Sequence, residues 1–485
     1  MSSVATFVLL GGYLVVLAWL GVAGMRRTKS LEGFAIGNRD MSPALVGVAM
    51  ASSIASSATF VINPGFVYTD GVSALLHYGV AAQGGVIFGL LAVCKGFRRH
   101  GDAQASLTIP DWIRARYGSR GFALFFAVTN LLSIAFIVLI LFGCAILVTA
   151  LTGLTHTAAL LAVTVVVLGY VMLGGTYAHA YTNAAQALMM VVVALGLFAT
   201  GWHHLTEDNL VAQLQRFGPH YAEIVNPDSV LYGDLFAVFV SGFVVTFALM
   251  LQPHVLTKVL YLRAERDLRV FLLTAVGTGL AFSLILFVGL YARLGGLEVP
   301  IESQDHVVTT YVATVFGEST GGDILTSAVL VALLAAGMST LDGILVAVSA
   351  MVTHDLVLRG RRDPGSSARA LKISRIVVVS IGLVAFAVAV DPPPLVGLFA
   401  QKGVYGLAAA SFVPIVFGVL IRGAIPVVPI ATASAVALAV HFSLHLSGFA
   451  PNPAVSACYG ILASAMVALL ALFVWRRFPP ARGDR

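Results

Sequence analysis

Two apolar stretches carry the residue types that could hold a cation. The first runs Ala49-Met50-Ala51-Ser52-Ser53-Ile54-Ala55-Ser56-Ser57-Ala58-Thr59-Phe60 and continues Val61-Ile62-Asn63-Pro64-Gly65. Small residues and hydroxyls crowd a segment without charge, and a Pro-Gly pair closes it. A lipid-facing anchor would be mostly Leu, Ile, Val and Phe, and irregular backbone at membrane depth is tolerated only inside protein or beside a wet cavity. The stretch therefore reads either as a helix that opens and offers its carbonyls, or as a tightly packed helix with a proline kink, since small residues also let helices approach closely.

The second stretch is Ala335-Ala336-Gly337-Met338-Ser339-Thr340-Leu341-Asp342-Gly343. A carboxylate at that depth costs roughly 3 kcal/mol or more unless a cation, a hydrogen bond or a proton compensates it, so Asp342 is a functional candidate by default. Ala336, Ser339 and Asp342 are three apart and Thr340 and Gly343 flank them, which sets a carbonyl, two hydroxyls and a carboxylate along one helix face. Oxygen-only ligands suit a hard cation such as sodium. The competing reading has Ser339 and Thr340 bonding back to their own helix while Asp342 caps it or bridges to a neighbour.

The elements that position these residues follow from composition. The chain of 485 residues is 59% hydrophobic and 10% charged, with mean hydropathy +0.95. That is more apolar surface than a soluble core can hide, and it implies an all-α, polytopic membrane protein. About thirteen segments are long enough to cross a bilayer. The first lacks a basic leader and a small-residue cleavage site, so it reads as a retained span.

Basic residues gather on alternate connections, among them Arg26, Arg27 and Lys29, then Lys95, Arg98 and Arg99, then Lys258, Arg263, Arg266 and Arg269, then Arg369, Lys372 and Arg375, then Arg476 and Arg477. Acids such as Asp208, Glu223, Asp228, Glu298, Glu302 and Asp305 fall on the others. The bias puts the N-terminus outside and, with an odd number of spans, the C-terminus inside. No phosphate loop of the Walker type and no His-Glu-x-x-His occurs, which argues against an ATP-driven pump and a zinc protease. Cys94, Cys144 and Cys458 lack metal-ligand spacing. Nothing points to a nucleic acid or to an obligatory protein partner.

Several stretches together resemble the sodium:solute symporter family. They are Gly33-Phe34 with Gly37-Asn38-Arg39, Ala51 to Gly65, Thr108-Ile109-Pro110-Asp111-Trp112 with Arg116-Tyr117, and Gly174-Gly175-Thr176 with Tyr181-Thr182-Asn183 and Gln186. Gln252-Pro253-His254 followed by Arg263-Ala264-Glu265, and Met338 to Asp342, complete the set. The resemblance implies a LeuT-type core of two inverted five-helix repeats in a bacterial inner membrane. Residues 1–43 would be an extra helix and inner loop, 44–202 the first repeat, 203–234 an outer loop, 235–421 the second repeat, and 422–485 two further helices and a basic tail.

The resemblance also implies a function: sodium-coupled uptake of a small organic solute by alternating access, with no enzymatic step. Its sodium site would use the carbonyls of Ser52, Ala55 and Ala336 and the hydroxyls of Ser339 and Thr340. The solute would lie against Ser56, Thr59 and Phe60, with Tyr78, Gln83, Phe243, Thr246 and Gln401. No Lys or Arg is among these solute positions, yet hydroxyls and half-helix N-termini can hold a carboxylate. The expectation is a monocarboxylate or amino-acid-like solute, with a sugar or polyol, a proton-coupled variant and a non-transporting sensor of the same fold as alternatives.

One departure from the family pattern stands out. Members that bind a second sodium place a carboxylate where this chain has Asn183, and a serine where it has Asp342. Asp342 could bind a second cation with Asn183 as a neutral ligand, line the sodium exit route, or carry a proton. The exit-route role with a single coupled sodium is the expectation.

Overall fold

The computed structural model describes residues 4–206, 208–317, 321–358, 367–391 and 396–477. Among them the chain is helical, and its only β-type pairing is an isolated bridge between Met41 and Leu262. Ten helices are long and apolar enough to cross a membrane: α1 (Val4–Arg27), α4 (Val72–Ala103), α5 (Arg120–Thr152), α7 (Gly174–Thr200), α10 (Glu265–Leu294), α11 (Gly322–Val357), α12 (Ala368–Val390), α13 (Gly397–Leu420), α14 (Val427–Leu446) and α15 (Pro453–Arg477). Two more spans are bent pairs: α2 (Pro43–Ile54) with α3 (Ala58–Asp70) at 54°, and α8 (Phe236–Leu249) with α9 (Pro253–Tyr261) at 62°. The shorter apolar helix α6 (His156–Met172) precedes α7.

Local chemistry makes each break. After Ile54 the backbone leaves the helix at Ala55 (φ −84°, ψ 92°). The Ser56 hydroxyl then accepts the amide of Ala58 at 3.1 Å, the local competition by which serine draws backbone donors out of a helical ladder. Pro64 has no N–H to give Phe60, and the turn over Ala58–Ile62 widens to a π form in which the Asn63 amide bonds Ala58 O. In the second pair Gln252 is extended (φ −69°, ψ 150°), as a residue before proline must be, and Pro253 starts the new helix.

Two expectations need correction. The sequence places a connection between Leu173 and Tyr181, whereas the structure confines it to a kink at Gly175 (φ 51°, ψ −140°) between α6 and α7, so Thr176, Tyr177, Ala178, His179 and Ala180 are helical and buried. Lys258, expected on an inner connection, lies in α9 at 1% exposure, because the chain resumes as helix after Pro253 instead of leaving the membrane.

The core lies around α11, whose residues from Val329 to Leu345 are buried without exception. It packs on α5, α6, α7 and α2, while α2 also lies along α10 and α8 along α4. At one end the two bent spans are tied together. Met41 N donates to Tyr261 O at 3.2 Å beside the bridge to Leu262, and Arg98 donates to Leu262 O at 3.0 Å. Arg98 and Arg39 both pair with Asp102, at 3.0 and 2.6 Å.

Gly175 supplies a test of this packing. Its dihedrals are open only to glycine, and an added Cβ would stand 2.5 Å from the Phe34 ring, whereas Gly118 (φ 67°) faces open space. Gly118→Ala should cost about 1–2 kcal/mol through its backbone alone. Gly175→Ala should cost more and lower the melting temperature in detergent further; equal losses in both would contradict the close approach of α7 to Phe34.

Candidate ion and solute site

Because α2 ends at Ile54, its last carbonyls have no helical donor. Hydroxyls of α11 meet one of them. Ser339 Oγ lies 2.9 Å from Ser52 O and 2.7 Å from Ala336 O, and Thr340 Oγ1 lies 3.4 Å from Ser52 O, each as a donor. Ser52, Ala336, Ser339 and Thr340 are fully buried, and Ala55 sits at the break itself. Four of the five expected groups thus share one hydrogen-bonded knot where the open helix crosses α11. The back-bonding of Ser339 to its own helix and its bond across to α2 occur together. The group is all oxygen and carries no formal charge. Among the described residues no cluster of three His, Cys, Asp or Glu exists that would suit a softer metal.

One turn along α11, Asp342 is enclosed by protein. Its Oδ1 is 2.7 Å from His179 Nδ1, and its Oδ2 accepts from Tyr170 Oη and Thr182 Oγ1, both at 3.2 Å. The other nitrogen of His179 is 3.5 Å from Ser53 Oγ, and Gly343 leaves room for the ring. Asn183 does not touch Asp342. Its amide nitrogen donates to Ser339 O at 2.9 Å, Ser53 Oγ at 3.0 Å and Ala49 O at 3.4 Å, linking α7 to both helices of the crossing. Three acceptors around one atom fix the amide orientation. The Lys258 ammonium, also at this depth, donates to His254 O at 2.6 Å. Neither His179 nor Lys258 reads as a buried residue in the sequence, because both fall on expected connections.

Beside the break is a cavity of about 160 Å³, on the scale of the ~150 Å³ cavities that take a benzene-sized molecule. Ser56, Thr59, Tyr78, Gln83, Thr246 and Gln401 line it as expected, joined by Asn63, Gln252, His254 and Tyr405. Phe60 and Phe243 do not. The π turn directs Phe60 into the core, fully buried against the edge of Phe282 at 5.5 Å. Phe243 lies in the seam with α4, against Phe88 and Gly84. Among the described residues no Lys, Arg, Asp or Glu reaches the wall. Tyr78 bonds Tyr232 through their hydroxyls at 3.0 Å, and Phe66 and His77 pack around that pair. Gln252 and His254 flank Pro253, and that proline is the signal in the sequence that their helix breaks at the cavity.

The fold matches known transporters along its length. It superposes on a substrate-bound, outward-open Na+-coupled sialic acid symporter with TM-score 0.79 at 15% identity, over 99% of each chain. A nucleobase-cation-symport-1 family transporter gives 0.59 at 14% identity, over 93% of this chain and 96% of that one. These likenesses identify the fold as the LeuT type, with its two inverted repeats. In sequence, a sodium/pantothenate symporter of Haemophilus influenzae (strain ATCC 51907 / DSM 11121 / KW20 / Rd) is 26% identical over 413 residues, 82% of this chain and 81% of that protein. The high-affinity proline transporter PutP of Bacillus subtilis (strain 168) is 24% identical over 380 residues, 76% of this chain and 77% of its own. The profile of the sodium:solute symporter family matches residues 34–424, and with the broken helices and their crossing in place this chain belongs to that family, as an integral membrane transporter and not an enzyme.

Proposed function

We propose that the chain couples uptake of a small carboxylate-bearing solute to entry of one sodium ion, with the start of α1 on the outer side of the membrane. Sodium would bind at the carbonyls of Ser52, Ala55 and Ala336 and the hydroxyls of Ser339 and Thr340. The observation that carries this reading is the Ser339 hydroxyl poised between Ser52 O and Ala336 O. Turning its proton away would leave several oxygens facing one point. The relatives named for proline and pantothenate both handle solutes with a carboxylate, and the amides and hydroxyls of the cavity can hold one. The absence of a basic side chain on the cavity wall keeps a sugar or polyol as the second reading. With the Asn183 amide protons directed at the crossing and Asp342 held by three protein donors, the reading has no place for a second sodium.

Uptake of a labelled panel of monocarboxylates, amino acids and polyols into proteoliposomes, with and without a sodium gradient, tests it. Uptake that follows a proton gradient without sodium would replace the coupling ion. Ser339→Ala and Thr340→Ala should each raise the sodium concentration for half-maximal uptake by roughly tenfold or more, from the loss of about 1.5–3 kcal/mol for a hydrogen-bonding group on a charge. Unchanged sodium dependence in both, at equal expression, removes the assigned site.

The solute's charge sets a further expectation. At about 100 mV, inside negative, one sodium gains roughly 2.3 kcal/mol, and a tenfold gradient adds roughly 1.4. A net-neutral solute could then accumulate somewhat under a thousandfold. A monoanion moving with one sodium would be insensitive to an imposed voltage and limited to about tenfold under the same gradient. Uptake measured with and without an imposed voltage separates the two.

A further inference from the structure

We propose that Tyr232, on the connection between α7 and α8, positions the solute through Tyr78: it holds the Tyr78 hydroxyl from behind, so that the proton of that hydroxyl goes to the solute's carboxylate. The inference rests on the reading of the cavity as the site of a carboxylate-bearing solute. Tyr232 is buried and does not itself line the cavity, whereas Tyr78 does. Between the two, Tyr232 Oη is the donor and Tyr78 Oη the acceptor, at 3.0 Å. A phenol has a single proton, and that of Tyr78 is thereby left to turn toward the cavity, beside the side chain of Gln401. A hydroxyl that already accepts a bond is also the stronger donor.

The connection is built to hold that contact still. Tyr221 Oη donates to Val67 O and Tyr68 O of α3, at 3.1 and 2.9 Å, and Tyr221 O accepts the amide of Val72 at 3.0 Å, where α4 starts. Tyr232 N donates to Ser229 Oγ at 3.1 Å, and Tyr232 O accepts the amide of Asn226 at 3.0 Å. Beside the start of α15, Asn452 Nδ2 donates to Leu231 O. The ring is caged as well. Phe66 meets it edge-on with centroids 6.4 Å apart, and His77 lies at 5.1 Å, its own Nδ1 fixed on Ala237 O and Val238 O at 3.0 Å. With backbone and ring both tied, the Tyr232 hydroxyl is a fixed partner, and the Tyr78 hydroxyl loses less freedom when it meets a solute. A residue off the cavity wall then sets how firmly the cavity holds what it carries.

The test is uptake by the full-length protein in proteoliposomes under a fixed sodium gradient, with labelled acetate, L-proline and myo-inositol as probes. Tyr232→Phe keeps the ring in its cage and removes only the hydroxyl. For whichever carboxylate probe wild type takes up faster, it should raise the concentration for half-maximal uptake by about threefold to tenfold. The rise of melting temperature with sodium alone should match wild type, because the sodium oxygens lie elsewhere. Tyr78→Phe should raise the same half-saturation at least as far. Tyr232→Phe with Tyr78→Phe should go no further than Tyr78→Phe alone, since one hydroxyl acts only through the other.

An unchanged half-saturation in Tyr232→Phe would overturn the inference and leave the carboxylate reading intact. A double variant whose losses add would overturn it too, as would a lost sodium response in Tyr232→Phe, which would assign the hydroxyl to the fold as a whole. Wild-type uptake of myo-inositol alone, or of none of the three, would overturn the carboxylate reading itself. If Tyr232→Phe does not fold, Ser229→Ala decides, because it frees the Tyr232 backbone and leaves both phenols in place: a raised half-saturation supports the positioning role, and a wild-type value overturns it.

Discussion

The rest of the structure depends on carbonyls that a helix cannot use. A helix ended in the middle of a membrane leaves acceptors without donors, and in hydrocarbon each unmet group costs several kcal/mol. Here α2 ends at Ile54, and α11 brings Ser339 and Thr340 against Ser52 O. The open backbone is thereby satisfied by hydroxyls, which can change partners. The small residues of both helices serve the same contact. Small side chains let two helices approach closely enough for a hydroxyl of one to reach a carbonyl of the other.

Around that crossing the molecule separates two kinds of polarity. The cavity wall is lined by amides and hydroxyls without a formal charge, apart from the titratable ring of His254. The Asp342 carboxylate lies off the wall and is closed in by Tyr170, Thr182 and His179. Neutral groups can bind and release a solute with modest changes in solvation. Charges of this kind would hold water or an ion too firmly for rapid exchange. The arrangement keeps strong electrostatics on the scaffold side and weak, replaceable contacts on the transport side.

Much of this was legible in the residues themselves. The hydroxyl-rich stretch before Pro64-Gly65 signals a broken helix because serine and proline act on the backbone directly, and the spacing of Ala336, Ser339 and Asp342 follows from helical geometry alone. Hydropathy was a poorer guide where it measured length and not connection. Gly174-Gly175 reads as a loop, yet one residue of unusual dihedrals keeps both flanks helical, and His179 is carried into the core. Lys258 reads as a surface residue by charge, yet the bend at Pro253 returns the chain to the interior. Phe60 was misplaced for a related reason: a π turn rotates the face that an ideal helix would present. In each case the missing information was the exact path of an irregular backbone.

The bracket at one end of the core bears on motion. Met41 and Leu262 join the chain entering the first bent span to the chain leaving the second, and Arg98 and Asp102 fasten the same corner to α4. Two arms hinged separately could open independently, giving four combinations of open and closed. A rigid tie between their ends reduces four to two. The half-open combinations would let an ion pass without its solute, and the bridge joins the ends of the two bent spans that would have to move separately to reach them.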